Sequence, residues 1–137
     1  ETIEGSEEFI RQLKVAGHKI KSTVVSVHIW HIESTAGKIF DAVNENPEKA
    51  AQLRKFFSYY MPTTIKLLNA YQVLEKQGID QSNIAATKAR IEEALETIGL
   101  AFEKLLDQLF SKEALDITTD IKVLESLLQQ DGIGPEI

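Results

Sequence analysis

Apolar residues recur along this chain three and four positions apart, the spacing of a helix face, and rarely alternate as a strand would require. The pattern predicts four helices, over residues 6–44, 47–77, 82–111 and 116–130. Ser6, followed by Glu7 and Glu8, suits the start of the first, where acids complement the helix dipole. Its expected inward stripe includes Phe9, Leu13, Ala16, Ile20, Val24, Val27, Trp30, Ile39 and Val43. Val24, Val25, Val27, Ile29 and Ile32 crowd the middle and would also suit a strand. Helix is the expectation, because the stripe enters the crowded region from both sides.

Asn46-Pro47 reads as an N-cap followed by proline at the first helical position. The second helix carries the seam Ala50, Leu53, Phe57, Tyr60, Thr64, Leu67, Tyr71 and Leu74, with Phe56, Met61, Leu68 and Val73 widening the apolar face, and Gly78 is the expected stop. Asp80 or Ser82 caps the third, whose seam is Ile84, Lys88, Ile91, Leu95, Ile98, Phe102, Leu105 and Leu109. Lys88 is the only polar member of that seam; its stem can cover apolar surface while the ammonium stays in water. In the fourth, Ile117, Ile121, Leu124 and Leu128 are expected to face inward, with Gly132 and Pro135 closing the helix. The short turn between the second and third makes them antiparallel neighbours. Two long seams need a further partner, which the first helix supplies. The expected fold is therefore all-α: an antiparallel bundle of three long helices with a shorter fourth packed against it, one domain over residues 1–137.

Composition narrows the chemistry. A chain of 137 residues, 43% of them hydrophobic, can build a real core. Cysteine is absent, which removes disulfides, thiolate metal sites and a cysteine nucleophile. The net charge of −6 argues against nucleic acid as a partner, since phosphate contacts need a basic face. One acid-free stretch holds Lys49, Arg54, Lys55 and Lys66, which reads either as a small-anion or lipid-headgroup patch or as a solvated helix face. No apolar run reaches the roughly 20 residues of a membrane span, and no signal peptide is visible. The chain opens on Glu1 rather than Met, which leaves an upstream membrane anchor open.

Pro62 breaks the local rules inside the second helix. It removes one helical hydrogen bond and crowds the carbonyl of Ser58 four residues back. Tyr59, Tyr60, Thr63 and Thr64 lie within a turn of it, and Lys66 follows. A kink with freed carbonyls and hydroxyls makes Tyr60, Pro62, Thr63, Thr64 and Lys66 the candidate ligand or phosphate site. The plainer reading is a bend that lets a long helix follow the bundle. His28 and His31 share a helix face, but the chain has no Glu-x-x-His motif, and a partly buried, hydrogen-bonded His31 beside Trp30 is the simpler expectation. Asp116 and Asp120, four apart, are weak candidates for Mg²⁺ or Ca²⁺ ligation, with Lys66 as a counter-charge; ordinary capping explains them as well. No phosphate loop, nucleophile elbow or metalloprotease motif occurs, so no metal site and no cofactor is expected.

Lys38-Ile39-Phe40, the block from Phe56 to Leu68 (Phe-Phe-Ser-Tyr-Tyr-Met-Pro-Thr-Thr-Ile-Lys-Leu-Leu), Ala101-Phe102-Glu103, Asp107-Gln108-Leu109-Phe110 and Asp120-Ile121-Lys122-Val123-Leu124-Glu125 resemble the bromochloroindolyl phosphate hydrolysis protein family of bacteria, with Asp131-Gly132 closing the pattern. Met61 stands where members usually have Leu, a volume-conserving exchange. Residues 1–27 match in helical character alone. The resemblance implies a role in hydrolysis of an indolyl phosphate indicator and a place on the cytoplasmic side of a bacterial membrane, with the anchor outside this chain. It carries over no catalytic residue. Three functions follow: a non-enzymatic scaffold or interaction domain, a phosphomonoester hydrolase using Lys66 and Thr64 for phosphate and Asp116 and Asp120 for metal, or ligand or lipid sensing at the Tyr60–Pro62–Thr64 kink. The expected partner is a protein or a membrane surface, or a second copy of the chain through its helix seams.

Overall fold

The computed structural model describes residues 2–133, and the side chains of 5–133. Among the described residues five α-helices form: α1 Thr2–Lys19, α2 Thr23–Glu45, α3 Met61–Glu75, α4 Ser82–Gln108 and α5 Ser111–Gln130. A 3-10 stretch, Pro47–Leu53, and a π turn, Phe56–Tyr60, lead from α2 into α3. The all-α class stands. The chain divides into two compact units, Glu1–Leu106 and Asp107–Ile137.

The long first helix is in fact two. Ser22 adopts an extended conformation (φ −62°, ψ 125°), and its hydroxyl accepts from the Val25 amide at 3.3 Å, so it caps α2. A second cap comes from far along the chain. The Glu75 carboxylate accepts from the Lys21 amide at 3.0 and 3.2 Å and from the Ser22 amide at 2.9 Å. A carboxylate on the free amides of a helix N-terminus is favourable for both hydrogen bonding and the dipole.

The break re-phases α2. Its buried face is Val25, Ile29, Ile32, Thr35, Ala36, Ile39, Phe40, Ala42 and Val43. Val24, Val27 and Trp30, expected inside on an unbroken helix, are 50%, 62% and 69% exposed. In α3 the inward seam is likewise displaced. Leu53, Phe56, Met61, Thr64, Leu68 and Tyr71 are buried, so residues expected at the margin of the face join the seam, while Phe57 and Tyr60 of the expected seam are half-buried and Val73 is exposed. The π turn inserts one extra residue, so the step from Phe56 to Met61 is five positions instead of three or four. In α4, Ile91, Leu95, Gly99 and Phe102 are buried.

Within the first unit, contacts give the helix directions. Lys14 meets Glu33 at 3.0 Å and Phe9 meets Phe40 at 6.4 Å between ring centroids, so α1 and α2 are antiparallel. Tyr71 bonds Glu92 at 2.6 Å and Phe56 meets Phe102 at 4.8 Å, so the chain from the π turn through α3 opposes α4. Phe9, Phe40, Phe56, Phe57 and Phe102 form one aromatic cluster in edge-to-face, tilted and stacked pairs.

In the second unit, α5 begins at Ser111, five residues earlier than expected, so Asp116 is not its cap. None of its residues is buried. Ile117, Ile121 and Leu124, expected to face inward, are 58%, 47% and 54% exposed, and Leu128 is half-buried. The stripe has the right period, but among its described residues this unit holds no second element to cover it. Gly132 ends the helix at φ +71°. Pro135 lies outside the described residues.

Candidate functional site

The π turn accommodates Pro62. The Met61 amide reaches back five residues to the Phe56 carbonyl. In that register the next amide would serve the Phe57 carbonyl, but Pro62 has no N–H to give. Two hydroxyls reinforce the distorted turns. Thr64 Oγ1 donates to the Tyr60 carbonyl at 2.7 Å, and Ser58 Oγ donates to the Arg54 carbonyl at 2.9 Å.

The expected site residues separate around this turn. Thr64 is fully buried and its hydroxyl proton is committed to Tyr60. Tyr60 is half-buried with its ring against the exposed Tyr59, centroids 5.9 Å apart. Thr63 is half-buried and Lys66 exposed. Pro62 lines a groove. That groove runs between α1 and α3, occupies about 380 Å³ and is walled by Phe9, Phe57, Met61, Pro62 and Ile65, with Gly5, Glu8 and Gln12 on the α1 side. A polar continuation of about 160 Å³ shares Gln12 and Ile65 and ends at Arg11, Lys19, Asn69 and Gln72. Gly5 facing Pro62 at one end and Lys19 facing Gln72 at the other make α1 and α3 parallel.

A second cluster sits where α2 and α4 begin, and no sequence motif announced it. Tyr71 is 1% exposed, and its hydroxyl donates to Glu92 Oε2 at 2.6 Å. Burial, then the bond to the Glu92 carboxylate, pushes the phenol up to about 12. Lys88 Nζ lies 5.7 Å from the Tyr71 ring centroid and 3.3 Å from Asp80, so its stem covers apolar surface as expected. With Lys21, Ser22 and Glu75 these residues line an open cleft of about 510 Å³. The one available signal was Tyr71 itself, a polar-tipped residue within an apolar seam.

His31 is partly buried and hydrogen-bonded, as expected. Its Nε2 donates to Glu103 at 2.5 Å, and its ring lies against Gly99, where an added Cβ would stand 2.7 Å from Nδ1. Among the described residues, no group of three His, Asp or Glu side chains is placed to hold a metal ion. Asp116 and Asp120 are exposed members of the second unit, and Lys112 approaches Asp116 at 3.9 Å. Among the described residues, no helix is long and apolar enough to cross a membrane.

The helices, the π turn at the tyrosine–proline–threonine block and the aromatic core together define an all-α domain. The chain belongs to the family described as 5-bromo-4-chloroindolyl phosphate hydrolysis protein, which it matches over residues 1–124. The match begins at residue 1, well before the first recognisable motif, and ends before Asp131-Gly132. No curated protein and no solved structure matches the chain.

Proposed function

We infer that this chain is an interaction domain whose part in indolyl phosphate hydrolysis is exerted through a partner protein. The observation that carries this reading is α5, a 20-residue helix with a regular apolar stripe and no buried residue. Large exposed apolar surface at helical spacing marks a surface that docks on another helix. Charge selects the partner. Between Ser111 and Asp131 the helix carries Lys112 and Lys122 against Glu113, Asp116, Asp120, Glu125 and Asp131. Two copies, or an anionic lipid surface, would place like charges together, so the reading favours an apolar helix flanked by Lys and Arg. The family resemblance supports placing that partner at the cytoplasmic face of a bacterial membrane.

The test has two parts. A leucine-striped peptide helix flanked by lysines is expected to bind the chain, its glutamate-flanked twin is not, and Ile121→Asp with Leu124→Asp is expected to abolish binding. Purified chain is expected to leave 5-bromo-4-chloroindolyl phosphate intact with or without Mg²⁺, Mn²⁺ and Zn²⁺. Turnover that Lys66→Ala or Asp116→Ala removes would overturn this reading in favour of the phosphomonoester hydrolase that the family description suggests. Self-association lost in the α5 variant would make the partner a second copy.

A further inference from the structure

We propose that the groove between α1 and α3 binds a single-chain anionic amphiphile, with its apolar tail at the Pro62 end and its charged head at Lys19. This site lies wholly in the first unit and does not depend on what α5 docks.

Two residues that disfavour helices face each other at its apolar end. Gly5 lies in the first turn of α1 and Pro62 in the first turn of α3, and both line the same groove. Glycine weakens a helix interior by about 1 kcal/mol relative to alanine. No packing demand accounts for it here, because a Cβ added at Gly5 would meet nothing within 4 Å. Gly5 leaves open the space on the α1 side that a side chain would fill, and Pro62 walls the other side of the same groove. The result is an apolar trough floored by Phe9, Phe57 and Met61.

The far end is chemically opposite. Arg11 there is engaged by Glu8, with Nε 3.0 Å from Oε1. Lys19 makes no ion pair among the described residues and stands with the carboxamides of Asn69 and Gln72. One available ammonium with two neutral hydrogen-bonding side chains suits one anionic head.

Length decides between ligands. Pro62 and Gln72 are ten residues apart, which is about 15 Å along a helix rising 1.5 Å per residue. A ring carrying its phosphate directly is too short to touch both ends. An extended tail of about ten to twelve carbons, with C–C bonds of about 1.5 Å laid in zigzag, reaches from the proline to the lysine.

The experiment is calorimetric titration of the full chain with dodecanoate, dodecyl phosphate, dodecanol, inorganic phosphate and 5-bromo-4-chloroindolyl phosphate, all below micelle-forming concentrations. Both dodecyl anions are expected to bind one to one, dodecanol more weakly, and the last two not measurably. Gly5→Leu, which fills the apolar end while suiting the helix better, is expected to weaken both anions about tenfold with an unchanged or raised melting temperature. Lys19→Gln is expected to weaken the anions about three- to fivefold and leave dodecanol unaffected. Binding that ignores Gly5→Leu, anions no tighter than dodecanol, or binding only to anionic vesicles would overturn the proposal. Loss of α5 docking would leave this outcome untouched.

Discussion

At the scale of single residues, Tyr71 couples stability to alkaline pH. Its phenol is held neutral by burial and by Glu92 to about 12, against an ordinary value near 10. The folded state thus holds a proton that the unfolded chain has lost between these values. Stability from this group is complete below about pH 10 and declines as pH rises towards about 12. Tyr71→Phe is expected to flatten that decline in denaturant titrations. It is also expected to lower neutral-pH stability by about 1–2 kcal/mol, because Glu92 loses its donor. Gly99 is the second informative residue. Gly99→Ala places a methyl 2.7 Å from His31 Nδ1, so the ring must swing out and release Glu103. A double-mutant cycle on His31 and Glu103 is expected to lose its coupling in the Gly99→Ala background. With His31→Ala already present, Gly99→Ala is expected to stabilise by about 0.5–1 kcal/mol through helix propensity alone.

Elements carry a different lesson. Pro62 inside a regular helix would cost about 3 kcal/mol. The π turn reduces that penalty by placing the proline at the opening of α3, where one missing amide matters least. Pro62→Ala is therefore expected to raise stability by less than about 1 kcal/mol in equilibrium unfolding, not by the full helix-interior amount. The start of α2 depends on a residue 53 and 54 positions away. Glu75→Ala is expected to cost about 1–2 kcal/mol and to increase amide exchange at Lys21 and Ser22, since Ser22 alone would remain to cap the helix.

On the scale of the whole molecule, the aromatic cluster ties the first unit together. Phe102 of α4 touches Phe9 of α1 and Phe56 of the π turn, and is fully buried. Phe102→Ala is expected to destabilise the unit by about 3–5 kcal/mol by thermal or chemical unfolding, the range for deleting a buried ring whose cavity cannot collapse. The fold class was legible because helical periodicity is a local signal, and Ile91, Leu95 and Phe102 are buried as their spacing implied. Pro62 was legible as a breaker from its chemistry, while the hydroxyls beside it turn to the Tyr60 and Arg54 carbonyls and not to the one that Pro62 deprives of an amide.

Period, breaker residues and the family resemblance are properties of neighbouring positions, so the chain carries them openly. The sequence alone therefore determined that the protein is all-α, that its second helical segment is disturbed at Pro62, and that it resembles the indolyl phosphate hydrolysis family. It also contained Ser22, whose capping role went unread because the valine run after it continues the earlier stripe. What only the tertiary structure decided depends on pairs distant in sequence. Glu75 splits the first helix, an extra residue in the π turn re-registers Phe56 and Met61, and His31 meets Gly99 and Glu103. The groove that joins Gly5, Pro62 and Lys19 belongs to the same class. Periodicity names the face a residue occupies, but only packing says what lies opposite it.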